Sequence, residues 1–102
     1  MFTLQTDPTQ TPCLVTASGD LTIYHAAELH RVLTAQIAQS ATLAIDLSQV
    51  AEIDTAGMQT LLVAQRGAQA AGGGLAVVEW SAPALECARL LNLADALGAP
   101  AH

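Results

Sequence analysis

Two hydrophobic periods alternate along this chain, and their order points to its architecture. "FTLQ" (2–5) and "CLVTASG" (13–19) are short strand-like runs separated by "TDPTQTP", whose Pro8 and Pro12 suit a turn and oppose a helix. Together they are expected to form a hairpin. In "GDLTIYHAAELHRVLTAQIAQ" the period changes: Ala26, Leu29, Leu33 and Ile37 recur at steps of three and four, with Val32 beside them. That spacing predicts an amphipathic helix over about 24–39, with Thr22 as its cap or pre-cap residue.

Alternation returns in "TLAIDLSQV" (42–50), where Leu43, Ile45 and Leu47 interleave with Ala44 and Asp46, as in a strand with one buried face. "SQVAEID" reads as a loop with Val50 and Ile53 tucked inward. From Gly57 the pattern is helical, with Met58, Leu61, Leu62, Ala68 and Ala71 as the core stripe and Gln59, Gln65, Arg66 and Gln69 facing water. The triple glycine 72–74 ends that helix, and "LAVVEW" is a further buried strand. Ser81 then caps a helix with Pro83 in its first turn and Ala84, Leu85, Ala88 and Leu91 on its inner face. "NLADALGAPAH" adds one more turn before a loose tail ending in His102. The predicted order is ββαβαβα. Alternation of strand and helix implies parallel crossovers, and the opening hairpin adds an antiparallel pair. The expected fold is therefore α/β: a small mixed β-sheet with helices packed mainly on one face. It forms a single domain over 1–102 with its core at about 13–97.

Charge removes several functions. Three arginines, no lysine and nine acids leave a net charge of −6, so no basic face is available for nucleic acid or an anionic membrane surface. No apolar run approaches the ~20 residues of a membrane span. "MFTLQTDPTQ" lacks the basic start and long apolar stretch of a secretion signal, so the expectation is a cytoplasmic protein without membrane insertion. Cys13 and Cys87 have no C-x-x-C arrangement and read as buried free thiols. His25 and Glu28 stand three apart on the first helix, which is too little for a metal site, and the histidines read as solvated or capping residues. No metal and no cofactor are expected.

The candidate chemistry lies in "EIDTAGMQTLL" (52–62), where an apolar run turns into a helix at Asp54-Thr55-Ala56-Gly57. The first amides of a helix lack partners within it and carry partial positive charge. Asp54 or Thr55 could simply cap them. Alternatively, the Thr55 hydroxyl is displayed for another protein to modify. A phosphate there brings about −1.5 to −2 charges, tolerable beside helix amides but repelled by Asp54, Glu52 and Asp20 and hostile to a partner lying flush on the surface. An enzyme using Thr55 or a cysteine as nucleophile lacks a recognisably placed base, so a non-enzymatic role is expected.

These segments resemble the STAS domains, the family of bacterial anti-sigma factor antagonists and related modules. "SGDLTIYHAAEL", "LAIDLSQVAEIDTAGMQTLL" and "GGGLAVVEWSAPALECARLLNLADAL" carry the likeness in family order. The antagonist signature is an Asp, a phosphorylatable Ser or Thr, a small residue and Gly, which falls on Asp54, Thr55, Ala56 and Gly57. The resemblance implies an interaction module of the short stand-alone proteobacterial type that binds a kinase-type anti-sigma factor and is released when that serine/threonine kinase phosphorylates Thr55; with no spare apolar stripe in the sequence, a monomer is expected. It also implies a partner surface of Asp20, Thr22, Asp54, Thr55, Ala56, Gly57, Met58 and Gln59. In "GDLT" a second acid common in antagonists is replaced by Thr22. Other short members resemble the cytoplasmic subunit of a phospholipid-transporting ABC system, in which the same motif contacts the ATPase without phosphorylation.

Overall fold

The computed structural model describes residues 2–98; the tail expected beyond them, with His102, lies outside the described residues. Strands β1 (Phe2–Asp7) and β2 (Cys13–Leu21) form the expected hairpin, pairing antiparallel with Leu4 opposite Ala17. The turn between them is held by Asp7, whose carboxylate accepts hydrogen bonds from the Thr9 N–H and hydroxyl. Helix α1 (Ala26–Gln39) follows, then β3 (Thr42–Ile53), helix α2 (Thr55–Ala70), β4 (Gly74–Trp80) and helices α3 (Ala82–Leu90) and α4 (Ala94–Leu97). The sheet order is β1-β2-β3-β4, with β2/β3 and β3/β4 parallel. Both crossovers step the same way across the sheet. With right-handed connections, α1 and α2 therefore lie on one face, where they pack against each other.

The core sits between that face and the two helices. Val15, Ile45, Leu47, Val50 and Val77 from the strands meet Leu29 and Leu33 of α1 and Met58 and Leu61 of α2, all essentially removed from water. On the opposite face Thr3, Gln5, Ala76 and Val78 are exposed, so the sheet is covered on one side.

Four local expectations change. β3 does not end where alternation fails. It runs on through the segment read as a loop, pairing with β2 as far as Leu21/Ile53. Between Thr16 and Ser18 the ladder shifts, β3 advancing from Asp46 to Gln49, and it shifts again between Gly19 and Asp20. Each bulge puts an extra residue into β3. Leu47 and Val50, three apart, can therefore both point inward, which erases the period-2 signal.

Helix α1 starts at Ala26 rather than at Tyr24, and Thr22 does not cap it with its side chain: the Thr22 carbonyl accepts the His25 N–H in a turn. His25 occupies the cap position without a side-chain cap bond, its ring stacked on Phe2 at 5.3 Å. On α3, Ala84 and Ala88 are fully buried, but Leu85 is only half-buried.

On α2 the stripe is displaced: Ala71 is exposed, Leu62 half-buried, and Gln65, expected in water, is buried. Its side-chain amide donates to the carbonyls of Leu75 (2.9 Å) and Ala96 (2.6 Å), tying α2 to β4 and α4. Satisfied buried amides are stabilising, whereas orphaned carbonyls cost free energy. Gln65→Leu is expected to lower stability by about 1–2 kcal/mol, read as a fall in the urea midpoint at unchanged slope.

Candidate functional site

The C-terminal ends of β2 and β3 carry the two loops that build the site. Leu21 and Ile53 are the last ladder pair, and Asp20 and Glu52 pair one step before them. From there β2 turns through 22–25 into α1, while β3 passes through Asp54 alone into α2.

Asp54 holds the junction together. As N-cap of α2 it has extended backbone, and its Oδ1 accepts the Gly57 N–H at 3.0 Å. Its Oδ2 accepts the Ile23 N–H at 2.9 Å from the other loop, and its own N–H reaches the Leu21 carbonyl at 3.3 Å. Burial pushes the carboxyl pKa up, but the surrounding N–H donors of Gly57, Ile23, Ala56 and Asp54 itself outweigh it and hold the group below the usual carboxylate value. Asp54 is thus a clamp between two loops.

Gly57 is buried where α2 crosses the end of β2. A Cβ there would strike the Leu21 carbonyl oxygen and lie 3.2 Å from the Ile53 side chain. Only glycine lets the helix start this close to the strand. Met58, the next residue, is fully buried. Neither Gly57 nor Met58 can present a side chain to a partner, which corrects their place in the expected partner surface.

Thr55 is the first residue of α2 and is exposed, and since Asp54 makes the cap, Thr55 is spared that role. Ala56 and Thr22 are half-exposed and Gln59 is exposed, one turn along α2 from Thr55. The Ala56 carbonyl accepts the Thr60 hydroxyl at 2.8 Å. Asp20 is half-buried and engaged in an interaction of its own.

Ile23 and Tyr24 lie outside the expected partner surface. Their side chains are 67% and 89% exposed, on the loop whose Ile23 N–H the Asp54 carboxylate grips. "TIYH" held the signal: two large apolar residues precede Ala26, outside the helical stripe, with no burial assigned to them. Exposed large apolar side chains of this kind are the type enriched among interface anchors.

On α3, burial raises the Cys87 thiol pKa and the negative charge of Asp54 adds to it, so the thiol stays protonated and is a poor nucleophile. Among the described residues no cluster of His, Cys, Asp and Glu could hold a metal ion, and no helix is long and apolar enough to cross a membrane.

The backbone frame is shared with solved structures. An anti-sigma factor antagonist from Mycobacterium paratuberculosis superposes with a TM-score of 0.84 at 21% identity, over 99% of this chain and 87% of that one. The anti-sigma factor antagonist SpoIIAA in its unphosphorylated form gives 0.79 at 14% identity, over 98% and 89%. The Bacillus cell fate determinant SpoIIAA in the phosphorylated form gives 0.73 at 14%, over 98% and 92%. No curated protein matches the chain. The family model described as "Mlab, STAS domain" matches residues 4–98. With nearly all of its length inside that match, and with the mixed sheet and Asp54–Gly57 junction described above, the chain belongs to the STAS domain family.

Proposed function

We propose that this protein is a non-enzymatic interaction module of the anti-sigma factor antagonist type, which docks a kinase-type anti-sigma factor on the surface around Thr55 and is released by phosphorylation of Thr55. The observation that carries this reading is that Thr55 is exposed at a helix start where Asp54, not Thr55, supplies the cap. The fold of SpoIIAA, solved in unphosphorylated and phosphorylated forms, supports it as a frame that accepts a phosphate. The kinase supplies the nucleotide: the Thr55 Oγ1 forms a bond to the γ-phosphorus of ATP as the bond to ADP breaks, and the hydroxyl proton passes to a base on the kinase. The new charge sits beside the amides of α2, at the end of the sheet where Asp54 and the Asp20/Glu52 pair add further negative charge. Docking is lost while the fold persists.

The test is mass spectrometry of the protein recovered from its own cells, followed by incubation with its co-purifying kinase and ATP. One phosphate on Thr55 is expected; phosphate only elsewhere overturns the switch. Thr55→Ala is expected to shift stability by less than about 0.5 kcal/mol, keep binding and abolish release. Thr55→Glu is expected to weaken binding with the melting curve unchanged. Equal partner binding by the two variants overturns the charge mechanism.

A second reading is supported by the description of the matching family model, Mlab. In it, the same surface docks constitutively on the ATPase of a phospholipid-transporting ABC system, inside the cytoplasm and with Thr55 unmodified. Co-purification with an ABC ATPase whose activity falls when this chain is removed distinguishes it.

A further inference from the structure

The loop from β2 to α1 presents two neighbouring large apolar side chains, Ile23 and Tyr24, that the core does not use. The other large apolar side chains exposed among the described residues, Val63, Val78 and Leu90, stand singly along the chain, as scattered surface residues normally do. The loop is tied to the domain without the side chains of Ile23 and Tyr24. Its Ile23 N–H donates to the Asp54 carboxylate at 2.9 Å, its His25 N–H donates to the Thr22 carbonyl at 2.9 Å, and the His25 ring stacks on Phe2. The backbone is therefore held in place while the side chains at 23 and 24 stay in water. A loop ordered before binding loses less conformational entropy when a partner closes over it.

Their position says what covers them. Asp54, which accepts the Ile23 N–H, directly precedes Thr55 in the chain. Standard bond lengths then place the Cα atoms of Ile23 and Thr55 at most about 12 Å apart. A standard protein interface buries about 800 Å² on each partner, which extends roughly 16 Å from its centre. A partner centred on Thr55 therefore reaches Ile23 and, one residue on, Tyr24. The ground around the pair is acidic. Asp20 and Glu52 face each other across β2 and β3, and Asp54 lies between the two loops. The chain has no lysine, and its three arginines sit on helices: Arg31 on α1, Arg66 on α2 and Arg89 on α3.

On the reading that a kinase docks at Thr55, we infer that Ile23 and Tyr24 are the apolar anchor of that complex, received by the kinase in an apolar socket rimmed with arginine or lysine. Burial of the two side chains supplies affinity, and the acidic ground meeting a basic rim steers the approach. Tyrosine suits the task, because it covers a large area with few torsions to freeze and its hydroxyl can stay at the wet edge of the socket. Phosphorylation acts on another part of the contact. It adds charge at position 55 and leaves the apolar area of the anchor as it was, so strength of docking and switching are separable.

The test uses the full chain and the purified kinase that co-purifies with it, with binding followed by calorimetry and phosphate on Thr55 by mass spectrometry. Tyr24→Ala is expected to weaken binding by about 30-fold or more. The KM for phosphorylation should rise by a similar factor with kcat and the urea midpoint unchanged, as for a group that binds without touching the reacting atoms. Ile23→Ala keeps the N–H that Asp54 accepts and is expected to weaken binding about fivefold. Val78→Ala, the same kind of deletion on β4, is expected to change nothing. Glu52→Lys, at an exposed position, is expected to slow association about tenfold at low salt, a difference that added salt erases. Tyr24 is the one tyrosine of the chain, so hydroxyl-radical footprinting reads it directly: oxidised in the free protein, protected in the complex. Wild-type binding by Tyr24→Ala, or a Tyr24 oxidised as fast in the complex as outside it, overturns the anchor; phosphate on Thr55 in the same samples leaves the docking reading standing. Unslowed association of Glu52→Lys overturns the basic rim. A chain that no co-purifying kinase phosphorylates at Thr55 overturns the docking reading and the anchor with it.

Discussion

Gly57→Ala is expected to be among the most damaging single-methyl changes in this protein, costing about 3 kcal/mol. The added Cβ meets a backbone carbonyl, that of Leu21, and not the end of a flexible side chain that could swing aside. Relief requires α2 to move away from β2. That movement would stretch the bond from the Asp54 N–H to the Leu21 carbonyl and drag Met58 out of a fully packed position. For a domain of this size 1 kcal/mol corresponds to roughly 4–8 °C in melting temperature. A drop of about 12 °C or more is expected, and a thermal melt within a degree or two of wild type would contradict the described approach of helix to strand. Partner binding should fall as well, because the start of α2 that displays Thr55 is what shifts.

Asp54→Ala is expected to cost about 2.5–4 kcal/mol, combining the loss of an N-cap, worth about 1 kcal/mol, with that of a charge-assisted bond to the Ile23 amide, worth about 1.5–3 kcal/mol. Partial exposure favours the lower end of that range. The pH dependence follows from the direction of the pKa. In the folded chain the carboxyl lies below its ordinary value, so the unfolded chain binds its proton first as acid is added. The stabilisation from Asp54 is complete above about pH 5 and disappears as pH falls through the ordinary and then the depressed carboxylate values. Urea midpoints for wild type and variant should therefore differ most at neutral pH and converge in acid. A constant gap across pH would show that the charge is not what the clamp uses. With the clamp gone, the loop bearing Ile23 and Tyr24 loses its tether to α2, so the variant should also bind its partner more weakly than its residual stability explains.

Most of the scaffold was legible from hydrophobic spacing. The hairpin, the crossovers and the helix breaks at Pro and Gly all rest on local rules, and nothing in the tertiary packing overrides them. The second half of β3 was not legible, because two bulges turn a period of two into steps of three, and a polar stretch such as Ser48-Gln49 then looks like a loop. Gln65 was misread for a different reason. Its burial depends on two carbonyls, of Leu75 and Ala96, distant in sequence, and no periodicity announces a satisfied amide.

The site was half legible. Strand-to-helix polarity located Asp54, Thr55 and Gly57, but their division of labour came from geometry. The carboxylate ties two loops, the glycine admits a close crossing, and the hydroxyl is left over. Ile23 and Tyr24 escaped notice because exposure is a property of the assembled surface, and an apolar pair before a helix reads equally well as core.

The leftover hydroxyl has a practical corollary for anyone following this protein in a cell. Since Thr55 is exposed and Asp54 makes the cap, a lineage could exchange position 55 for alanine or aspartate at little cost in abundance, thermal behaviour or solubility. Such a change would pass unseen through every assay of protein quality. On the proposed phosphorylation reading, it would surface only as docking held permanently in one state.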